Sequence, residues 1–263
     1  WGTLSNEMFT NITNTMNTDN PGALNIAYTE IPANAFEQTL IEALADGTGP
    51  DVVLMSENLL FKNQKKLSII SYSALSERDF KDSFIEGSET LLTNNGSYGL
   101  PFLVDPLIMY WNRDTLTSKG ISKPPVSWEQ VLSLSEKLTE RRDDKTILKS
   151  TVAFGDYTNV SHAKSILSAL IMQAGNGIVI RDNNSPVGAK NVTNDNGGFT
   201  VSPIDATFSF FSQFADPLKP IYSWNRSLPL SMTAFLNGDL AFYFGPASEV
   251  GILRNKNPNL NFD

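Results

Sequence analysis

The chain of 263 residues contains no cysteine and a single histidine, His162. Without cysteine there is no disulfide framework, no thiolate nucleophile and no zinc–thiolate site. Long apolar runs are missing as well, because Asp105, Lys164 and Asn176 interrupt the longest ones before they reach membrane-spanning length. Basic residues are fewer than acidic ones, 20 against 28. The resulting formal net charge of −8 argues against nucleic acid or an anionic membrane surface as partners.

Motifs of enzymes and metal sites are also scarce. The chain has no Walker loop and no G-x-G-x-x-G that opens a helix. His162 precedes an apolar helix without a serine and an aspartate arranged for a triad, so we predict it at the surface, at a helix N-terminus. Asp182 and Asp195 lack the spacing and the final glutamate of an EF-hand, and no motif marks a glycosidase pair of carboxylates. We therefore expect no catalysis, no metal and no cofactor.

Short apolar runs alternate with amphipathic segments in the first part of the chain. Residues 1–3, 24–31 and 52–55 are predicted as strands, with helical patterns between them. Asn34 stands three residues before Glu37, which is the spacing of a capping box. The order βαβαβ predicts a parallel sheet with right-handed crossovers.

Helices and strands continue to alternate in the rest of the chain. Ser127 and Gln130 have the capping-box spacing at the start of a predicted helix. Residues 231–236 are predicted as a helix, 240–244 as a buried strand, and a further helix opens at 245–246 and runs to 254. The sequence therefore predicts an α/β fold.

One acidic residue lies within an otherwise apolar stretch. Residues 99–114 read GLPFLVDPLIMYWNRD, with Asp105 in the middle. An unpaired carboxylate buried there would cost several kcal/mol, so a strand that only fills a core would not carry it. Asp105 is therefore a candidate functional residue. The alternatives are that it caps a turn before Pro106 or pairs with Arg113.

Three segments of the chain carry a resemblance to a known family. They are residues 49–54 (GPDVVL), residues 99–114 followed by 124–129 (PPVSWE), and residues 234–248 (AFLNGDLAFYFGPAS). In this order they resemble segments of the extracellular solute-binding proteins of ABC importers, in the sugar-binding group that includes maltose-binding protein. The resemblance covers essentially the whole chain.

The resemblance implies an α/β, two-lobe periplasmic-binding-protein-like (type II) fold with a ligand cleft between the lobes. Residues 1–104 together with 230–263 would form the N-terminal lobe, and residues 105–229 the C-terminal lobe. In the family, the segment that would follow Asp263 normally returns to the second lobe. We therefore expect that lobe to be incomplete, as in a C-terminally truncated protein. In the family, solute binding closes the lobes by hinge bending.

The resemblance also implies a set of ligand contacts. Asp105 matches the family's acid that accepts hydrogen bonds from sugar hydroxyls. Further contacts are expected in loops at the carboxyl ends of strands, where open α/β sheets bind ligands. For Ser56, Glu57 and Ser248 the alternative is helix N-capping. The expected loop residues are Thr3, Leu4, Met55, Ser56, Glu57, Gly245, Ala247 and Ser248.

Sugar-binding sites usually add an aromatic ring on which the sugar stacks. Met55 and Ala247 stand where maltose-binding protein has tryptophans, which argues against a maltodextrin ligand. Trp224 and Tyr157, both in polar loops without an obvious core to fill, are the predicted replacements. The other tryptophans, Trp1, Trp111 and Trp128, are expected to pack in the core.

The sequence thus predicts a protein that binds a mono- or oligosaccharide and delivers it to the membrane permease of an ABC importer. By resemblance it would act outside the cytoplasm as a monomer, with an optional lipid anchor, although this chain contains no targeting segment. One alternative is a polyamine or other non-sugar solute, held by Asp105, Glu57 and Trp224 through cation–π contacts. Another is a receptor that does not take part in transport.

Overall fold

The computed structural model describes residues 1–22, 25–175, 177–182, 185–188 and 203–263. These residues form two compact units, Trp1–Val104 and Asp105–Asp263. In the described residues, no helix is both long enough and apolar enough to cross a membrane.

The first unit is mainly helical with a small antiparallel sheet. The sheet has the order β1-β3-β2, and its β2–β3 hairpin turns at Asn94 and Asn95. The elements are α1 (Asn6–Asp19), α2 (Phe36–Ala45), α3 (Glu57–Asn63), β1 (Ile70–Ser71), α4 (Glu77–Ser83), β2 (Leu92–Thr93) and β3 (Gly96–Ser97), with 3-10 helices at Gln64–Lys66 and Glu86–Leu91.

The predicted parallel arrangement is present in the first unit as single bridges. Gly2 pairs in parallel with Glu30 on one side and with Leu54 on the other. A Cβ atom on Gly2 would come within 2.7 Å of Tyr28 Oη, so only glycine allows this close approach. The prediction that Asn34 caps α2 is wrong, because the N-cap is Ala35 and no side chain caps the helix.

The second unit is built on a four-stranded sheet with the order β4-β9-β6-β5. In it β4 runs antiparallel to β9, β6 runs parallel to β9, and β5 runs antiparallel to β6. Its strands are β4 (Leu107–Trp111), β5 (Glu140–Arg141), β6 (Ile147–Val152) and β9 (Leu240–Pro246), with a separate hairpin of β7 (Val179–Asp182) and β8 (Ser185–Gly188). Its helices are α5 (Arg113–Ser118), α6 (Trp128–Leu138), α7 (Ala163–Gln173), α8 (Pro203–Ser212), α9 (Ser231–Leu236) and α10 (Glu249–Lys256), with a 3-10 helix at Gln213–Ala215.

Strand β9 lies at the centre of the core of the second unit. Its residues Leu240 to Tyr243 are all buried. Aromatic rings surround it, and Phe154 contacts the rings of Phe211, Phe214 and Phe244 at centroid distances of 5.2 to 5.4 Å. Ser127 caps α6 as predicted by accepting a hydrogen bond from Gln130 N, while the Gln130 side chain accepts from Val126 N.

Residues 230–263 pack differently from our expectation, which placed them with residues 1–104. They belong to the second unit. Tyr243 of β9 pairs with Tyr110 of β4, Leu240 pairs with Ser150 of β6, and Phe262 forms a bridge with Asn112. The physical reason is that β9 is a central strand, and both of its hydrogen-bonding neighbours come from residues 105–229. The apolar pattern of a buried strand does not say which sheet it joins.

Candidate functional site

Three segments of the second unit converge at one edge of its sheet. Because β6 and β9 are parallel, their carboxyl ends lie at the same edge, and the antiparallel β4 begins there. The segments at this edge are therefore Asp105–Pro106 before β4, residues 153–162 after β6, and residues 245–248 at the end of β9. Loops at the carboxyl ends of parallel strands are the usual ligand sites of open α/β sheets.

Asp105 and Ser248 contact each other at this edge. Asp105 Oδ1 accepts a hydrogen bond from Ser248 N at 2.9 Å, and Oδ2 accepts one from Ser248 Oγ at 2.7 Å. Asp105 thus satisfies the start of α10, while Arg113 lies near Asp263 instead, at 3.4 Å. Both Asp105 and Ser248 are exposed. The structure brings two predicted site residues together, and their contact with a ligand stays a prediction.

The end of β9, which carries Gly245, and the turn after it, which carries Ala247, are held in place by β4 and the residue before it. Tyr110 Oη donates to the carbonyl oxygen of Pro246 at 2.7 Å and lies 3.1 Å from that of Ala247. Ala247 N donates to Pro106 O at 3.0 Å. Burial raises the pKa of Tyr110, with further contributions from the negative charges of Glu249 and Asp105. The neutral hydroxyl therefore remains a donor to the loop.

A buried carboxylate lies directly behind this loop. Glu249, which is 9% exposed, accepts a hydrogen bond from Tyr243 Oη at 2.7 Å through Oε2. Its Oε1 lies 2.8 Å from His162 Nε2. Burial, followed by the hydrogen bond to this carboxylate, raises the pKa of Tyr243 far above its usual value of 10.0.

His162 begins a helix as predicted, but it is not a plain surface residue. It is the N-cap of α7 and half-buried against Glu249. Sequence reasoning missed this pair because the two residues are 87 positions apart and belong to different elements. The available signal was the combination of the chain's one histidine with a glutamate directly after Ser248, at the start of a predicted helix.

The prediction that Trp224 forms an exposed platform is wrong. Its side chain is 0% exposed and lies in the hydrophobic core of the second unit. Trp224 Nε1 donates to Asn159 Oδ1 at 2.9 Å, and Asn159 Nδ2 donates in turn to Asn225 O and Leu228 O. The polar residues of this loop thus satisfy one another while the ring points inward. A fully buried ring offers no face on which a sugar could stack.

Tyr157 has the exposure that a platform needs. Its side chain is 65% exposed, in the loop after β6. The neighbouring Asp156 accepts a hydrogen bond from Thr158 N at 2.7 Å and pairs with Arg226 at 3.0 Å. The Thr158 hydrogen bond, with a smaller contribution from Arg226, lowers the pKa of Asp156. The loop is therefore fixed beside an accessible ring, and contact of Tyr157 with a ligand stays a prediction.

The remaining predicted contacts lie in the first unit, after its parallel bridges. Leu4 O accepts a hydrogen bond from Tyr28 Oη at 2.9 Å, and Thr3 is exposed. Met55 packs against the cluster of Ile31, Phe36 and Leu40. Ser56 is the N-cap of α3, although its side chain makes no capping bond, and Glu57 Oε1 accepts from Thr90 Oγ1 at 2.8 Å.

The other tryptophans are only partly buried, and the described residues form no metal-binding cluster. Trp1, Trp111 and Trp128 are each half-buried against a hydrophobic cluster. In the described parts of the chain, no group of three or more histidine, aspartate or glutamate side chains could hold a metal ion. Asp195 lies outside the described residues.

An exposed carboxylate beside the carboxyl ends of parallel strands is an arrangement typical of ligand sites in open α/β sheets. The chain belongs to the family of bacterial extracellular solute-binding proteins, whose family profile matches residues 12–263. Among curated proteins, a binding protein of Brucella abortus (strain 2308) is 25% identical over 122 residues, which are 46% of this chain and 29% of that protein.

Solved structures share the fold. A cyclic α-maltosyl-1,6-maltose binding protein from Arthrobacter globiformis superimposes with a TM-score of 0.72 at 15% identity, over 100% of this chain and 63% of that one. The sugar-binding protein MalE from Xanthomonas citri has a TM-score of 0.66 at 18% identity, over 97% and 62%. A Thermotoga lettingae solute-binding protein bound with α-D-tagatose has a TM-score of 0.61 at 16% identity, over 98% and 63%. The α/β solute-binding-protein fold predicted from sequence is confirmed, and the chain spans less than two thirds of these proteins' lengths.

Proposed function

We propose that this protein binds a mono- or oligosaccharide outside the cytoplasm and delivers it to an ABC-type permease. The family is extracellular and consists of solute-binding proteins. Three structurally similar proteins are described as binding sugars, among them cyclic α-maltosyl-1,6-maltose and α-D-tagatose. In this proposal the protein binds its solute without transforming it. It acts as a monomer, at the membrane surface if a lipid anchors it.

The observation that carries the proposal is the geometry of Asp105 at the sheet edge. Each of its carboxylate oxygens accepts one hydrogen bond from Ser248. A carboxylate has about four lone-pair sites, so each oxygen can accept one more donor. Sugar hydroxyls are such donors, and a hydrogen bond to a charged group contributes about 1.5–3 kcal/mol. Ser248 fixes the carboxylate in place before the ligand arrives, which lowers the entropic cost of binding.

The alternative hypothesis is a polyamine ligand, and one finding argues against it. The predicted cation–π wall was Trp224, whose ring is fully buried. The acidic surface and the exposed Asp105 would still attract a polycation. Polyamines therefore belong in the same binding test as the sugars.

Thermal unfolding against mono- and oligosaccharides, polyamines and amino acids tests the proposal. A ligand at 100 times its dissociation constant adds about 2.7 kcal/mol to the unfolding free energy. We expect stabilisation by one group of sugars, which Asp105→Ala abolishes. The matched control is Asp114→Ala, because Asp114 follows the other end of β4 and likewise accepts a side-chain hydrogen bond, from Asn261 at 2.6 Å. Stabilisation by polyamines alone, or an equal loss in both variants, would contradict the proposal.

A further inference from the structure

We propose that Glu249 is a positioning residue for the solute site, although it does not itself touch the ligand. Its buried carboxylate ties the starts of α7 and α10 to strand β9 and thereby fixes Ser248 against Asp105. This inference rests on the proposed function only for its effect on affinity. The positioning itself is a property of the ligand-free protein.

The contacts of Glu249 join three separate elements. The residue opens α10, Tyr243 belongs to β9, and His162 is the N-cap of α7. Both carboxylate oxygens are engaged, one by the Tyr243 hydroxyl at 2.7 Å and the other by His162 Nε2 at 2.8 Å. A buried carboxylate that lost one of these partners would keep an unsatisfied oxygen away from water, which is destabilising. The arrangement is therefore held as a unit.

The electrostatics of the two helix starts favour the same placement. A negative charge is stabilised at a helix N-terminus, and Glu249 lies in the first turn of α10 and contacts the N-cap of α7. Glu249 also interacts with the titratable groups of Tyr243 and Tyr110, and Asp105 interacts with Tyr110. Because the carboxylate can only accept, His162 must donate through Nε2–H. Glu249 therefore selects the tautomer of the imidazole.

The backbone of His162 has an uncommon conformation at this contact. Its φ of 60° and ψ of 23° lie in the left-handed region, which is uncommon for a residue with a side chain. Such a conformation is strained and persists where surrounding contacts hold it. One of these contacts is the side-chain hydrogen bond to Glu249.

Gly245, near the end of β9, independently supports this position of the Glu249 carboxylate. A Cβ atom at this position would collide with Glu249 Oε2 and would come within 2.8 Å of the Tyr243 ring. The Glu249 carboxylate thus lies directly against the backbone near the end of β9, at a point where glycine leaves room for it.

The consequence for the solute site follows from chain connectivity. Ser248 directly precedes Glu249, and its N–H and hydroxyl are the two donors to Asp105. A shift of Glu249 would therefore be passed on to these donors. Binding groups must be held within about 0.5 Å of their productive geometry, so such a shift would lower affinity although Asp105 remained intact.

The test uses the fact that this protein has only one histidine. In the ligand-free protein, long-range ¹H–¹⁵N NMR reports which nitrogen of this single imidazole carries the proton. We expect Nε2–H in the wild type, a mixture of tautomers in Glu249→Ala, and a shifted Ser248 amide in the same variant. Glu249→Gln keeps the size and one acceptor, so it should retain part of the wild-type pattern even if Glu249→Ala fails to fold. The matched control is Glu136→Gln, an exposed glutamate of α6, which should change neither signal.

Affinity is the second measurement, made with the sugar that stabilises the wild type. We expect a dissociation constant about tenfold higher in Glu249→Gln, corresponding to about 1.4 kcal/mol, and an unchanged value in Glu136→Gln. An Nδ1–H tautomer in the wild type, or an unchanged Ser248 amide in Glu249→Gln and Glu249→Ala, would overturn the inference. An altered amide with unchanged affinity would also overturn it. If no sugar binds the wild type, the proposed function fails, whereas the ligand-free spectra still decide whether Glu249 positions Ser248.

Discussion

Asp105 and Ser248 are 143 positions apart in the sequence and share two hydrogen bonds, at 2.7 and 2.9 Å. This contact explains why an apolar stretch contains an acidic residue. Asp105 is exposed at the edge of the sheet, immediately before β4, so its charge is not buried in a core. Its carboxylate serves the start of α10 and remains open to further donors.

A double-mutant cycle measures how much the Asp105–Ser248 contact contributes to the unfolding free energy. Asp105→Ala should cost more than Ser248→Ala, because it removes the acceptor of both the hydroxyl and the backbone N–H. We expect a coupling energy of about 0.5–1 kcal/mol, since the pair is exposed to solvent. Denaturant unfolding of the two single variants and the double variant gives the value. Strictly additive effects would show that the side-chain contact contributes nothing.

Trp224 should affect stability, whereas Tyr157 should affect ligand binding. Trp224→Phe leaves the buried Asn159 Oδ1 without its donor, so we expect the unfolding free energy to fall by about 1–3 kcal/mol. Tyr157→Ala, at a side chain that is 65% exposed, should change it by at most about 0.5 kcal/mol. Tyr157→Ala should also weaken sugar binding, and Tyr157→Phe, which keeps the ring face, should restore it. Equal affinities in all three proteins would exclude Tyr157 as a platform.

Alanine substitutions at two glycines with positive φ distinguish the stability cost of backbone strain from that of a steric collision. Gly155 has φ of +91°, and a Cβ atom there would come within 2.5 Å of Ala215 Cβ, whereas Gly120, with φ of +71°, has nothing within 4 Å. We expect Gly120→Ala to cost about 1 kcal/mol from strain alone. Gly155→Ala should cost about 1–3 kcal/mol more because of the collision. Thermal or denaturant unfolding of both variants measures the difference, and equal losses would contradict this prediction.

The raised pKa of Tyr243 should make the unfolding free energy decrease with pH in the alkaline range. Its pKa in the folded protein lies far above the ordinary value of 10.0, so above about pH 10 the unfolded state loses a proton that the folded state retains. The stabilisation is thus fully present below pH 10 and declines by about 1.4 kcal/mol per pH unit above it. Tyr243→Phe should reduce the slope of unfolding free energy against pH by this amount. An identical slope in the variant would contradict the assignment, whatever its stability at neutral pH.

The local structure was determined largely by the sequence itself. Residues 231–236 form the predicted helix with the predicted bounds, and Ser127 caps α6 because a serine hydroxyl satisfies the free N–H groups of a helix start wherever that helix lies. These features depend on neighbours only a few positions away, which a sequence displays directly. The absence of cysteine likewise excluded disulfides, thiolate nucleophiles and zinc–thiolate sites directly from the sequence.

Only the tertiary structure decided the contacts between distant residues. Strand β9 belongs to the sheet of the second unit, and Trp224 is buried in its core. Glu249 contacts His162, which is 87 positions away in the sequence. A buried strand or a tryptophan in a polar loop can gain the same apolar burial against several different surfaces. The sequence pattern gives the amount of apolar surface to be buried, whereas the partner is set by packing and by pairing of buried polar groups across the whole unit.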